Sequence, residues 1–190
     1  VKFRGLVAAM FLLASGAAVA QAAAAPSFGI NGGLTMPTGD VSDFVGMGFH
    51  VGGNYDYKLD EQFGIGADLN YHMLGQKTFG EIKTKLNALQ IGANGKYFFP
   101  TKDAKLQPYL KVGLGLYNLS SEVSTTVGSV TISSTTSDSK FGFSGGLGLT
   151  IASTSKASYG VEALYHAIST EGSSTNLFTL GVAYNFMMGK

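Results

Sequence analysis

From Phe178 to Phe186 the chain reads FTLGVAYNF, with Phe178, Leu180, Val182, Tyr184 and Phe186 alternating against Thr179, Gly181, Ala183 and Asn185. A period of two predicts a β-strand with one apolar face. Seven more such runs precede it: SFGINGGLTM, GMGFHVGGNYDYKL, FGIGADLNYHM, LQIGANGKYFF, QPYLKVGLGLY, FGFSGGLGLTI and YGVEALYHAI. In the second, Met47, Phe49, Val51, Tyr55, Tyr57 and Leu59 share one face, and His50, Asn54, Asp56 and Lys58 the other. Each of the others likewise sorts into an apolar face and a polar or small one.

The connections alternate in length. Asp60–Gln62, Pro100–Lys105 and Ala152–Ala157 are short, whereas residues 37–45, 74–85, 119–139 and 169–175 form longer loops. Short turns at one end and long loops at the other predict an outer-membrane barrel. The 119–139 loop is Ser/Thr-rich, with five-residue arms around Gly128 and Ser129, too short for the roughly 9–11 residues of a spanning strand. It reads as an external loop or a small hairpin above the membrane.

Glycine assigns the faces. Gly29, Gly33, Gly48, Gly52, Gly64, Gly66, Gly92, Gly113, Gly115, Gly142, Gly146, Gly148, Gly160 and Gly181 lie on the charge-bearing faces, against Gly32, Gly53, Gly95 and Gly145 on the apolar ones. Eight strands enclose just enough room for side chains, so long polar groups inside need small neighbours. The polar face points in and the apolar face meets lipid. A soluble lipocalin-like carrier would invert this. Outward aromatics sort into two groups by height, as a barrel crossing both interfaces requires. Phe28, Tyr55, Phe63, Tyr97, Tyr184 and Phe186 lie near the short turns, and Phe49, Tyr71, Phe141, Tyr165 and Phe178 near the long loops.

Composition sharpens this picture. Only 13% of the 190 residues are charged, and 27 are glycine, which is poorly compatible with a helical protein. Cysteine is absent, which excludes disulfides and thiolate metal sites. The near-neutral balance gives no support to nucleic-acid binding. Lys2 and Arg4 precede the apolar stretch GLVAAMFLLASGAAVA and A-x-A-like sites, so residues 1–22 are expected to be a signal peptide cleaved near 20–25. A membrane anchor is the competing reading, and the short, alanine-rich stretch favours cleavage. Without Lys2 and Arg4, eleven basic residues face twelve acidic ones and no arginine is left. The expected architecture is therefore all-β: an eight-stranded antiparallel up-and-down transmembrane β-barrel over residues 26–190, behind a cleavable signal peptide.

Inside, Asp56, Asp68 and Glu162 balance Lys58, Lys96 and Lys111. Unpaired interior charge is expensive, so these residues, with His50, His72 and His166, are expected to form an interior polar network. A narrow permeation path is the alternative. The three histidines fall on three strands at what the spacing gives as unmatched heights, so no metal or other cofactor is expected. YHAISTE offers His166, Ser169 and Glu171 for Ser-His-acid chemistry, but Ser169 and Glu171 fall in a loop, and no enzymatic activity is expected.

The stretches GGLTMPTGDVSDFVGMGF, PYLKVGLGLY and TLGVAYNF together resemble the small eight-stranded outer-membrane barrels of the OmpA/OmpX/OmpW-like group. The resemblance implies a location in the bacterial outer membrane, contact with its lipid and lipopolysaccharide, and insertion by the barrel-assembly machinery. Thr179, Gly181, Tyr184 and Phe186 match the group's C-terminal assembly signal, although MMGK follows the final aromatic. It also implies surface interaction or envelope integrity, with ligands met through loops 37–45, 74–85, 119–139 and 169–175. Passage of small or hydrophobic solutes, as in the OmpW-like branch, is the alternative.

Overall fold

The structure is a computed structural model that describes residues 26–102, 105–127, 130–154, 156–169 and 174–187. The expected signal peptide lies outside the described residues. Eight strands follow in order: β1 (Ser27–Thr38), β2 (Val45–Lys58), β3 (Phe63–Phe79), β4 (Ile82–Phe98), β5 (Leu106–Val127), β6 (Val130–Thr154), β7 (Ala157–Ser169) and β8 (Ser174–Met187). Each pairs antiparallel with its neighbour, and β8 returns to β1 to close the barrel. The closing register runs from Ser27 opposite Met187 to Thr38 opposite Asn176. No helix among the described residues is long and apolar enough to cross a membrane, which says nothing of spanning by strands.

The parity of the strands follows the sequence. Val182, Phe49 and Leu147 stand outward, each about three-fifths exposed, whereas His72 and Lys111 are buried within. Apolar residues outside and charged residues inside suit hydrocarbon as the surrounding solvent. Outward aromatics also pack on one another: Tyr184 meets Phe186 edge-on at 4.6 Å between ring centroids, and Tyr159 at 5.2 Å.

Three of the expected long loops are mostly ordered backbone. β3 runs through residues 74–79 and turns at Gly80, whose φ of 61° is a left-handed conformation that favours glycine. The 37–45 loop is the end of β1 followed by a 3-10 turn over Gly39–Asp43. The Ser/Thr-rich segment 119–139 is almost wholly strand: β5 and β6 pair continuously from Leu106 opposite Ile151 to Val127 opposite Val130. Its alternating Thr, Val and Ile residues favour extended backbone, and the ladder already formed in the membrane carries on upward without a break. Of the 169–175 loop, residues 170–173 lie outside the described residues.

This long hairpin leaves an asymmetry. β4 accompanies β5 up to Ile82 opposite Thr125, but β7 accompanies β6 only from Gly142 opposite Ile168 downward. Residues 130–141 of β6 therefore form the free edge of a sheet that rises above the barrel.

Val182 lies between the aromatic groups on the lipid face. Val182→Lys is expected to destabilise the refolded protein by about 2–4 kcal/mol, whereas Ser137→Lys on the hairpin leaves stability unchanged. Denaturant unfolding in lipid vesicles measures both.

Candidate functional site

Strand alternation stacks the inward side chains into levels, two residues apart along each strand. At the long-loop end the interior is apolar. Val45, Leu74, Leu86, Tyr117, Ile168 and Leu177 form one buried cluster, with Val41 and Leu119 packed against it. The sequence reading, which expected an interior polar network, missed this plug. The signal was present: Leu74, Ile168 and Leu177 each follow a polar inward residue at a spacing of two.

One level below lie the three histidines. His50 and His72 are cross-strand partners with ring centroids 5.5 Å apart, and His166 meets His72 edge-on at 5.6 Å. The expectation of unmatched heights is wrong. It ignored the stagger between strands, which brings the three rings together.

Hydrogen bonds assign their tautomers. His72 Nε2 lies 3.3 Å from Gln90 Oε1, an acceptor, so Nε2 carries the proton and Nδ1 accepts from the Thr35 hydroxyl at 3.2 Å. With its proton spent, Thr35 accepts from His50 Nδ1–H, also at 3.2 Å. On the other side Thr179 donates to the Leu164 carbonyl at 3.4 Å and accepts from His166 Nε2–H at 3.1 Å. His166 Nδ1 then accepts from the Tyr117 hydroxyl at 2.9 Å. The lone pairs of His72 and His166 are thus consumed by different hydroxyls and do not converge. Among the described residues no group of His, Cys, Asp or Glu is arranged to hold a metal. The Ser-His-acid candidate is also taken apart: His166 points inward, Ser169 is exposed on the opposite parity, and Glu171 lies outside the described residues.

Below the histidines is the charged level. Lys111 donates to Asp68 at 3.0 Å and to Glu162 at 3.2 Å; Lys96 donates to Asp56 at 2.9 Å and lies 3.8 Å from Glu162. The Tyr109 hydroxyl completes Glu162 at 2.6 Å, and Asn94 reaches Asp68 at 2.8 Å. The Tyr109 ring lies over Gly148, its cross-strand partner, where a Cβ would clash. Lys58 stands apart, bonded to Gln107 Oε1 at 2.6 Å and 4.2 Å from the Phe98 ring centroid. The structure thus joins Asp56, Asp68, Lys96, Lys111 and Glu162 directly, gathers His50, His72 and His166 above them, and places Lys58 near the short turns.

The residues read as an assembly signal divide between the two faces. Phe186 is exposed outward beside Tyr184. Thr179 is buried against His166, and a Cβ on Gly181 would lie 3.0 Å from His50 Nε2. Between the charged level and the short turns the barrel is not filled. A cavity of about 330 Å³ lies there, lined by Lys58, Lys96, Lys105 and Lys111 together with Asp56, Asp68 and Glu162.

The family model described as outer membrane protein beta-barrel domain matches residues 7–186. No curated protein matches the sequence. Among solved structures, Neisserial surface protein A aligns over 88% of this chain and 100% of its own, with a TM-score of 0.65 at 17% identity. Ail of Yersinia pestis aligns over 86% of this chain and 99% of its own, with a TM-score of 0.56 at 17% identity. OprG of Pseudomonas aeruginosa covers 86% and 97%, with a TM-score of 0.53 at 14% identity. At these identities the likeness is one of fold.

Removing one partner of the buried ion group leaves carboxylates uncompensated. Lys111→Met is expected to cost about 3–5 kcal/mol in vesicle unfolding. Lys140→Met, which removes the partner of the exposed Asp138 carboxylate, is expected to leave the unfolding midpoint where it was.

Proposed function

The chain belongs to the outer membrane protein beta-barrel domain family and resides in the bacterial outer membrane, and from that premise we propose that it is an anchored, non-enzymatic display protein. Its working part is the β5–β6 hairpin sheet above the barrel. The observation that carries this reading is the free edge of β6 over residues 130–141. A strand with no neighbouring strand on one side is a template for an incoming partner strand. Its side chains are mostly Ser and Thr. The Lys140 ammonium bonds to Asp138 at 2.7 Å, and that hydrogen bond holds the carboxyl below its ordinary value. Ail has been crystallised in complex with the heparin analogue sucrose octasulfate, which makes external polyanions a natural first class of ligand to assay.

Lipopolysaccharide fits a second feature. Lys83 and Lys85 share the outward face of β4 with Leu89 and Ile91 and lie above them. Two ammonium groups above this apolar band suit the phosphates of the outer leaflet. Outward Tyr184 and Phe186 on the closing strand suit recognition by the barrel-assembly machinery, with Thr179 and Gly181 held by the interior. The apolar plug argues against a solute path, because it sets buried apolar side chains from six strands across the lumen.

Replacing residues 120–137 with Asn-Gly brings Leu119 and Asp138, already partners, together across a tight turn. The variant is expected to keep the heat-dependent gel shift of a folded barrel while surface adhesion of expressing cells disappears. Unchanged adhesion overturns the display reading. In planar bilayers the intact protein is expected to give no discrete openings, and openings would favour the pore.

A further inference from the structure

We propose that a groove at the long-loop end, between the 3-10 turn and the inner face of the hairpin sheet, binds one small neutral amphiphile, an aliphatic chain with a hydroxyl head. This inference does not depend on what meets the free edge of β6. It starts from a change in polarity along the strands. Within the barrel the apolar parity faces lipid. Above the upper aromatic group the same parity carries Lys83 and Lys85 on β4, Glu122 on β5, and Ser133, Thr135 and Ser137 on β6. The parity that faces the lumen carries Ile82, Leu119, Val123 and Ile132 there. Ile82, Val123 and Ile132 are exposed, and at this height no hydrocarbon covers them. Contiguous apolar surface of this kind marks a binding site.

The 3-10 turn supplies the other wall. Val41 packs against the plug, and Phe44, which ends the turn, is 57% exposed. Between turn and sheet lies a groove of about 410 Å³, within the range of small-molecule sites. Val41, Phe44, Leu119 and Val123 line its sides, and the buried Val45 and Leu86 of the plug line its base. A chain that enters past Phe44 and Val123 therefore meets apolar side chains on both sides and an apolar floor. The plug bars it from the lumen below.

The polar part of the lining selects the head. Ser121 and Thr136 are cross-strand partners, so two hydroxyls sit side by side in the wall, with Leu119 and Val123 flanking Ser121 along β5. Among the described residues the lining holds one charged side chain, Asp138, whose carboxylate is already bonded to Lys140 at 2.7 Å. A carboxylate or phosphate head would meet no lysine in this lining, and an ammonium head would compete with Lys140. Either charge would lose water against apolar walls without a new ion partner. A bare hydrocarbon would strip water from the two hydroxyls and replace it with nothing. A hydroxyl head both donates and accepts, so it answers Ser121 and Thr136 while its chain covers the apolar walls.

Methyl NMR on the protein in lipid nanodiscs tests this, with 1-octanol, octanoate and octylammonium as probes at a pH of about 8, where the last two are charged. 1-Octanol is expected to shift the methyl signals of Val41, Leu119 and Val123 saturably. The outward methyls of Val182 and Leu147 report partitioning into lipid and should move, if at all, in proportion to concentration. Octanoate and octylammonium should each bind the groove at least about tenfold more weakly. Phe44→Ala, at an exposed position, should weaken 1-octanol by about fivefold or more. The gel shift checks that this variant is folded, and the comparison of probes on the unaltered protein does not depend on it. Absence of saturable shifts in the groove, shifts at Val182 and Leu147 that match those in the groove, equal binding of either charged probe, or indifference to Phe44→Ala overturns the proposal.

Discussion

Inside a bilayer no water is available to any backbone N–H or C=O, and each unsatisfied group costs several kcal/mol. The pairing of β1 with β8 answers that constraint. From Ser27 opposite Met187 to Thr38 opposite Asn176 the ladder has no break, so the sheet has no edge where it faces hydrocarbon. Once the sheet is closed, every residue in it must choose between lipid and lumen. Where the sheet leaves the membrane the constraint lapses. The free edge of β6 over residues 130–141 is tolerable only because water covers it.

Closure also fixes what the lumen holds. Eight strands leave room for side chains and little else, and the levels of this lumen differ in kind. At the outer end, Leu177 and Val45 pack against Tyr117 without polar partners. Beneath them Thr35, Thr179, Gln90 and Tyr117 bond to the three imidazoles. Lower still, Lys111 and Lys96 bridge three carboxylates, and Glu162 touches both lysines. Packing thins toward the short turns, where a cavity of about 330 Å³ lies beside Lys58 and Lys105. The result is a lumen whose apolar packing lies toward the long loops and whose cavity lies toward the short turns.

The sequence made the membrane parity legible, because apolar alternation and glycine placement act through one strand at a time. It also exposed which charges point inward. It did not reveal which of them meet, since Lys111 finds Asp68 and Glu162 across strands whose stagger no single strand encodes. The histidines failed for the same reason: His50 and His166 share a level only after the register of every intervening pair is known. The sequence left segment 119–139 open between an external loop and a small hairpin, because a Ser/Thr-rich stretch carries no unbroken apolar face to decide between them. The ladder from Gly115 to Val127 continues because its foundation in the membrane already sets the register of β5 on β6. Leu74, Ile168 and Leu177 were visible as inward apolar residues, but only their convergence makes them a plug.

The closing strand shows how far one short segment can serve several constraints. FTLGVAYNF was singled out by its spacing of Thr179, Gly181, Tyr184 and Phe186. Two of these positions are accounted for by the lumen alone: Thr179 fixes the tautomer of His166, and Gly181 makes room for the imidazole of His50. The other two lie on the outer surface, where Tyr184 packs edge-on against Phe186. A recognition partner that meets β8 from the lipid side can read only the outward pair. The inward pair would then matter to it indirectly, by keeping β8 straight and in register with Gly33 on β1. Substitutions at Thr179 and Gly181 should therefore act on the stability of the finished barrel, and those at Tyr184 and Phe186 on how the strand is first engaged. That division separates folding from delivery within nine consecutive residues.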